Sequence, residues 1–191
     1  MPELSIDPKS TALVLIDLQN GITSRSTAPH AAADVVSRAA RLADAFRKHG
    51  STVMLVRVAF ATDGSDRLKT PTDEQPPAMT PSPDWSEIVK ELGPRAGDVI
   101  ITKHQWGAFY GTELDLNLRR RGVKTIVIGG ISTNFGVEST ARDAYERAFA
   151  LVFVEDATAA MSAEGHAFAM TNIFPRLGLV RSTSEVLGAL G

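Results

Sequence analysis

The sequence predicts an α/β fold built around a parallel β-sheet. Short runs of apolar and β-branched residues alternate with longer amphipathic stretches along the chain, and this alternation is typical of βαβ units. The length of 191 residues fits one domain, and a content of 43% hydrophobic and 22% charged residues is that of an ordinary globular protein. We therefore predict a single domain over residues 1–191.

Composition also restricts the function. The formal net charge of −2 offers no basic surface for nucleic acid, and no apolar run approaches the roughly 18 residues of a membrane span. The N-terminus lacks the basic flank of a secretion signal, so we expect a cytoplasmic protein with neither a membrane nor a nucleic-acid partner. The absence of cysteine excludes disulfides, Cys-ligated metal centres and any thiol nucleophile.

The first two predicted strands flank a helix. Residues 11–16 are almost continuously apolar, as in a central strand covered on both faces, and the run ends at Asp17. Residues 31–49 place apolar side chains at helical spacing, with Gly50 as the predicted C-cap. Residues 52–58 are again β-branched and apolar, which predicts the second strand.

A Pro-rich excursion at about 60–97 then interrupts the regular structure. Six of the ten prolines fall in it, so it cannot form one continuous element. A short helix is predicted over 85–92. The apolar anchors of the excursion are Met79, Trp85, Ile88, Val89 and Leu92. Because a connection of this length is usually functional, we interpret it as a lid or an oligomer contact rather than a linker.

The second half of the chain continues the alternation. A strand is predicted at 98–102, with Lys103 at its end. Further strands are predicted at 124–128, 151–154 and 179–181. Helices are predicted at 112–121 with Thr112 as the N-cap, at 135–147, at 163–174 and from Ser184 to the end.

Unusual polar residues follow several of the predicted strands. They are Asp17, Gln19, Lys103 and the turn 129–134. Because ligands of open α/β sheets bind outside the carboxyl ends of the strands, these residues are candidates for a site. Each also has a plain structural reading, as a turn or N-cap residue, a solvated surface lysine or a tight βα connection.

Taken together, these residues suggest proton chemistry. An Asp beside a Lys in a crevice forms a charge pair that can hold or transfer a proton. Glycines in the turn allow close backbone approach, and the following helix offers N–H groups to an anion or a developing oxyanion. The aromatic residues after Lys103 either line a pocket or seal an interface: Trp106, Phe109 and Tyr110.

Neither a metal site nor a cofactor site is predicted. Among the four histidines, only His104 lies next to the proposed site. The others show no metal-ligand spacing and are interpreted as structural or surface residues: His30, His49 and His166. No glycine motif for phosphates or dinucleotides occurs, so we expect no cofactor.

Four segments carry a family resemblance. They are 12–19 (ALVLIDLQ), Lys103 with 107–114 (GAFYGTEL), 130–144 (GISTNFGVESTARDA) and 156–160 (DATAA). Together they resemble the isochorismatase-like hydrolases, a family that includes nicotinamidases and N-carbamoylsarcosine amidases. The segments occur in the family's order and span nearly the whole chain, so the chain is identified as a member.

The resemblance implies both a fold and a site. The fold is a three-layer αβα sandwich with Rossmann-like topology and a mostly parallel sheet of five or six strands. Asp17 and Lys103 are implied as catalytic residues that act on a small-molecule substrate, and a cis peptide is implied at Ile131–Ser132. The implied substrate-binding or oxyanion residues are Gln19, Ile131, Ser132, Thr133, Asn134 and Phe135. The family also implies a homodimer or homotetramer.

The chain departs from the amidase members at the nucleophile. Where they carry cysteine, the corresponding residue is Gly136, which has no side chain to form an acyl intermediate. The neighbouring hydroxyl residues Ser132, Thr133 and Ser139 occupy other motif positions. The metal-binding histidine motif of nicotinamidases is also missing after the second strand, at 58–63, so nicotinamide hydrolysis is not expected.

Isochorismatases themselves resemble this chain in having glycine at that position. By this resemblance, Asp17 would protonate the terminal carbon of an enol ether, and Lys103 would stabilise developing charge or orient a water molecule. The turn over 130–136 would hold the substrate. The expected function is hydrolysis of a small metabolite without cysteine, and the alternative is a catalytically silent member that binds a small metabolite or a protein partner.

Overall fold

Strands and helices alternate through residues 4–74 and 81–190, the part of the chain that the computed structural model describes. The strands are β1 (Thr11–Ile16), β2 (Thr52–Val58), β3 (Val99–Lys103), β4 (Thr125–Ile131), β5 (Ala150–Ala159) and β6 (Leu179–Arg181). The α-helices are α1 (Asn20–Thr23), α2 (Ala32–Lys48), α3 (Leu114–Arg120), α4 (Glu138–Glu146), α5 (Ala163–Phe168), α6 (Phe174–Leu177) and α7 (Thr183–Ala189). Two π-helical turns, Thr133–Val137 and Ala169–Ile173, precede α4 and α6.

The strands form one parallel sheet in the order β3-β2-β1-β4-β5-β6. The chain builds one half of the sheet outward from β1 and the other half outward from β4, so the strand order reverses between these two strands. Ligands of open α/β sheets bind at such a reversal, outside the carboxyl ends of the strands. The α/β fold class predicted from the sequence, with a parallel sheet between helices, is confirmed.

The two faces of the sheet are buried in separate apolar clusters. Leu13 and Leu15 of β1 belong to the cluster that contains α2 and α7. Ala12, Val14 and Ile16 belong to the cluster that contains α3, α4 and α6. Because side chains alternate across a strand, β1 supplies both cores at once, and this explains why its apolar run is continuous.

The prediction of a helix over 85–92 is wrong. These residues form turns, because the segment 18–21, which includes the start of α1, hydrogen-bonds to their backbone groups. For example, the Asn20 N–H donates to the Glu87 carbonyl oxygen (2.9 Å), which an α-helix would use internally. The excursion is thus joined to the segment that follows β1.

The apolar anchors of the excursion are mostly buried. Trp85, Val89 and Leu92 are buried, Ile88 is half-buried, and Met79 lies outside the described residues. The Trp85 ring lies directly over Gly21, where an added Cβ would come within 2.0 Å of the ring. Only glycine fits beneath this ring, so the excursion is fixed by close packing as well as by hydrogen bonds.

Strands β4 and β5 extend further than predicted. Their pairing shifts register between Ile128 and Gly130 and then resumes as far as Ile131 and Ala159. Because pairing resumes beyond this irregularity, Glu155 lies within β5 instead of following it. Sequence periodicity does not detect such continuation, since the residues after the irregularity are small or polar.

Two predicted helices each contain a π-helical turn. The helix predicted over 135–147 begins with the turn Thr133–Val137, and the one predicted over 163–174 is split by the turn Ala169–Ile173. Pro175, in the first turn of α6, has no N–H to continue the hydrogen bonding of α5.

The helix predicted from Thr112 begins later than expected. Its N-cap is Glu113, and the Leu114 N–H donates to Thr112 Oγ1 (3.1 Å). Thr112 therefore still satisfies a backbone donor at the start of α3, although it lies one residue before the N-cap.

Candidate active site

Asp17 lies at the carboxyl end of β1, beside the reversal of strand order. Its φ of 53° is in the left-handed region, which Asp adopts more readily than most residues. Its N–H donates to the Val56 carbonyl oxygen of β2 (2.9 Å), and its own carbonyl oxygen accepts from the Gln19 N–H (2.9 Å). The residue is only 6% exposed, so the fold holds a carboxyl group inside the protein at the predicted site.

Lys103, the last residue of β3, reaches Asp17 across the intervening strand β2. Its Nζ donates to Asp17 Oδ2 (2.8 Å) and to the carbonyl oxygens of Gln105 (3.0 Å) and Trp106 (2.8 Å). An ammonium group has three hydrogens, and these three acceptors use all of them. Lys103 therefore positions Asp17 and has no hydrogen left to orient a water molecule or a substrate.

The second carboxyl oxygen of Asp17 has a different environment from the first. Oδ1 is buried and has no hydrogen-bond partner among the described residues. Burial raises the pKa of Asp17 to about 6, even though the charge and the hydrogen bond of Lys103 act in the opposite direction. Because Lys103 occupies Oδ2, the proton of the neutral acid is carried by Oδ1, which can donate it.

The end of β4, which leads into the turn, lies very close to β1. Gly130 has a φ of 123°, and a Cβ at this position would lie 2.1 Å from the Ile16 carbonyl oxygen. Only glycine is compatible with both this conformation and this contact. One residue further along, the Ile131–Ser132 peptide bond is cis. The turn thereby lies beside Asp17, the residue that follows Ile16.

Hydrogen bonds within the turn fix its shape. The Ser132 carbonyl oxygen accepts from the N–H groups of Phe135 and Val137 (both 3.2 Å), and Ser132 Oγ donates to Asn134 Oδ1 (3.0 Å). Thr133 is fully buried. The oxyanion-binding role of these residues stays a prediction.

Gly136 faces the Asp17 carboxyl group. A Cβ built at this position would lie 3.1 Å from Asp17 Oδ2, 3.1 Å from Ile16 Cγ2 and 3.4 Å from the Trp106 carbonyl oxygen. A side chain at this position would therefore contact the charge pair directly. Glycine avoids this crowding beside the carboxyl group.

Gln19, by contrast, is engaged with the protein backbone. Its Nε2 donates to the carbonyl oxygens of Val58 (2.9 Å) and Trp85 (3.2 Å), and its Oε1 accepts from the Val58 N–H (2.8 Å). The side chain is completely buried. Gln19 thus joins the end of β2 to the excursion, and its amide is occupied at both ends.

The three aromatic residues after Lys103 have different environments. Trp106 is 63% exposed, and its ring lies against that of Phe135, with 4.8 Å between the ring centroids. Tyr110 is exposed as well. Phe109 does not join them, because it is buried in the core against Phe149. Its predicted place in the pocket lining is therefore wrong, and Trp106 and Phe135 form the exposed aromatic pair beside the site.

Sequence reasoning missed a second polar cluster, formed by His30, Glu155 and His166. The two Nε2 atoms lie 2.9 Å (His30) and 3.1 Å (His166) from Glu155 Oε1. Sequence spacing gives no sign of it, since the residues belong to three separate segments. His30 reaches β5 because Ala28 and Ala160 form a two-bond backbone bridge (2.8 and 2.9 Å).

Comparisons with known proteins agree with this fold. The sequence model of the isochorismatase domain matches residues 11–185, so the chain belongs to the isochorismatase family. YecD of Escherichia coli O157:H7, an uncharacterized isochorismatase family protein, is 51% identical over 187 residues, covering 98% of this chain and 100% of YecD. An isochorismatase family protein from Burkholderia thailandensis has a similar structure, with a TM-score of 0.93, 47% identity and 97% of each chain covered.

A more distant relative is named for an activity. The ureidoacrylate amidohydrolase RutB of Methylobacterium radiotolerans is 32% identical over 218 residues, covering 98% of this chain and 82% of RutB. These comparisons identify the chain as an isochorismatase-family hydrolase. Within residues 4–74 and 81–190, no helix has the length and apolar character needed to span a membrane.

Proposed function

We propose that this hydrolase cleaves a vinyl ether in a small metabolite that is anionic or contains a carbonyl group, with Asp17 as the general acid. The observation that carries the proposal is the buried Asp17 Oδ1, which has no hydrogen-bond partner among the described residues and belongs to the carboxyl group that Gly136 faces. A carboxyl group with a pKa of about 6 is partly protonated near neutral pH, as a general acid requires.

The residue at position 136 favours this reaction over amide hydrolysis. The amidase members of the family use a cysteine there, whereas this chain has glycine and contains no cysteine. Glycine cannot attack a carbonyl carbon, so a covalent acyl intermediate has no nucleophile at this position. The RutB relatives therefore support the hydrolase class, and their amide chemistry is not transferred to this chain.

In the proposed reaction, the Asp17 Oδ1 proton moves to the terminal carbon of the enol ether. The electron pair of the C=C bond forms the new C–H bond, and the adjacent carbon becomes an oxocarbenium ion. A water molecule adds to this ion and returns one proton to Asp17. In the resulting hemiketal, the hydroxyl oxygen loses its proton and forms the C=O bond of the carbonyl product. The bond to the ether oxygen breaks, and this oxygen takes up one proton and leaves as an alcohol. Lys103 holds Asp17 through Oδ2 as the carboxyl group loses and regains the proton.

The direct test is the release of pyruvate from isochorismate by purified wild-type protein and by Asp17→Asn. We expect release by the wild type and a loss of about 10²- to 10⁴-fold in Asp17→Asn, the usual contribution of a general acid. Asp34→Asn is the matched control, because Asp34 is an exposed carboxylate on α2. Circular dichroism checks that each variant retains the fold.

Three outcomes would count against the proposal. Equal release by wild type and Asp17→Asn would exclude Asp17 as the acid. Hydrolysis of ureidoacrylate by the wild type would show that amide chemistry persists without cysteine. No release of pyruvate from isochorismate would reject this substrate. It would favour the alternative, a catalytically silent family member that binds a metabolite or a protein partner. Titration calorimetry with isochorismate would then test binding.

A further inference from the structure

The cluster of His30, Glu155 and His166 has the composition of a metal site. The three residues each present one ligand atom, and these atoms all lie within 4.8 Å of one another. Two imidazoles and one carboxylate are a donor set that zinc and other divalent transition metals bind in proteins. Ligands about 2.0–2.1 Å from a tetrahedral ion lie roughly 3.3 Å apart. The two separations from Glu155 Oε1, 2.9 and 3.1 Å, are close to this value, and the two imidazole nitrogens lie within 4.8 Å of each other.

The surroundings of His166 resemble those of a metal ligand. Its Nδ1 lies 2.9 Å from Thr133 Oγ1, a contact that fixes the ring and leaves Nε2 directed at Glu155. Metal-binding histidines almost always use their second ring nitrogen in this way.

The cluster is also accessible to an ion. The His166 side chain is 4% exposed, whereas those of His30 and Glu155 are 23% and 38% exposed. A cation bound here would have one buried ligand and an open side toward solvent, where water would complete its coordination.

We propose that His30, Glu155 and His166 bind a divalent transition-metal cation, with Zn²⁺ as the reference ion. The site is distinct from the histidine motif that nicotinamidases carry after the second strand, because its ligands come from the segment before α2, from β5 and from α5. It is also separate from the proposed vinyl ether chemistry, since Asp17 and Lys103 contribute no ligand to it.

A bound cation would influence the turn that borders Asp17. With the metal on Nε2 of His166, the proton of the ring must be on Nδ1, which then donates to Thr133 Oγ1. The Thr133 side chain would become a hydrogen-bond acceptor with a fixed orientation. The cation would also join the loop containing His30 to β5 and α5, so we expect it to raise the melting temperature.

Metal binding is tested on the full chain after treatment with a chelator. Titration calorimetry with Zn²⁺ should give one site per chain, and Co²⁺ should give the visible absorption bands of a site with imidazole ligands. His30→Ala and Glu155→Gln should each weaken Zn²⁺ binding at least 100-fold, because each removes a ligand from a three-residue set. His49→Ala is the matched control, since His49 is an exposed histidine outside the cluster and should leave binding unchanged.

A fourth variant, Thr133→Val, tests the support of His166. It should weaken Zn²⁺ binding roughly 10- to 100-fold, the usual effect of losing a hydrogen bond to a metal-binding histidine. Zn²⁺ should raise the melting temperature of the wild type and not that of Glu155→Gln.

The absence of stoichiometric Zn²⁺ and Co²⁺ binding would overturn the proposal, as would equal affinity in wild type, His30→Ala and Glu155→Gln. His30 and Glu155 are partly exposed, so their variants are expected to fold, and circular dichroism verifies this. Because binding and melting are measured without substrate, these results do not depend on the proposed hydrolysis.

Discussion

The two oxygens of the Asp17 carboxyl group have separate roles. Oδ2 accepts from Lys103, whose other hydrogens are taken by two backbone carbonyl oxygens, while Oδ1 has no partner among the described residues. The lysine thus limits the effect of burial without reversing it, and the pKa of Asp17 lies at about 6 instead of near 3.8. Lys103 thus fixes the position of the carboxyl group, and Asp17 carries the proton in the proposed reaction.

The raised pKa predicts how activity depends on pH. A general acid acts only when protonated, so kcat/KM for isochorismate should be highest below about pH 6 and fall roughly tenfold per pH unit above it. The measurement is a pH profile of kcat/KM within the range where circular dichroism shows the native fold. A profile that rises through pH 6 would mean that the ionised carboxylate is the active form, as for a general base.

Position 136 provides a steric test of the same site. Gly136→Ala places a Cβ 3.1 Å from Asp17 Oδ2, which is closer than an ordinary contact and should displace the carboxyl group. We expect kcat/KM to fall, by up to the roughly 10²-fold that a 1 Å misplacement of catalytic groups can cost. Gly188→Ala is the control, because nothing lies within 4 Å of its added Cβ. Unchanged kcat/KM in Gly136→Ala would show that this position does not border the reacting groups.

At the scale of elements, the packing of the excursion on the loop after β1 makes a prediction about stability. Gly21→Ala would bring a Cβ within 2.0 Å of the Trp85 ring, and overpacking of this kind costs about 1–3 kcal/mol of unfolding free energy. Chemical denaturation measures the loss. Combining Gly21→Ala with Trp85→Ala should give less than the sum of the two single effects, since the clash is then removed. Additive effects would show that the two residues do not touch in solution.

The sequence predicts elements well where one face or both faces must be apolar. The bounds of β1 and β2 are as predicted, because each is a run of β-branched and apolar residues that ends at a polar residue or a loop. The prediction of a helix over 85–92 failed because the hydrogen-bond partners of its backbone lie in the distant segment 18–21, which local sequence patterns do not reveal. The predicted length of β5 was too short for the same reason, since the extension of this strand depends on pairing with β4.

The sequence likewise predicted part of the candidate site. Strand ends and family motifs indicated Asp17 and Lys103, and they do form an ion pair. Lys103 and Gln19 both donate hydrogen bonds to backbone carbonyl oxygens. The positions of these oxygens depend on the folded chain, so the sequence does not predict the contacts. The cluster of His30, Glu155 and His166 was missed because three distant segments meet there only in the folded chain.

For the whole molecule, the exposed apolar side chains of the excursion and of its aromatic flank predict self-association. Leu68 is 76% exposed, Trp106 63% and Tyr110 78%, and large apolar side chains that a monomer leaves exposed are candidates for an interface. We predict a homodimer or homotetramer, which sedimentation velocity at micromolar concentration measures. Tyr110→Lys should shift the population toward monomer, whereas Tyr145→Lys, a similar change on α4, should not. A wild-type protein that sediments only as monomer would contradict this prediction.

The pairing of Asp17 with Lys103 also bears on how the chain reaches its native state. The two residues are 86 positions apart, and they meet only when β1, β2 and β3 are aligned side by side. Contacts between such distant positions form slowly, because a long loop must be closed before they contribute. A chain in which these three strands have not yet paired therefore lacks the lysine that orients Asp17. In the proposed reaction, the oriented acid arises only once this half of the sheet has formed.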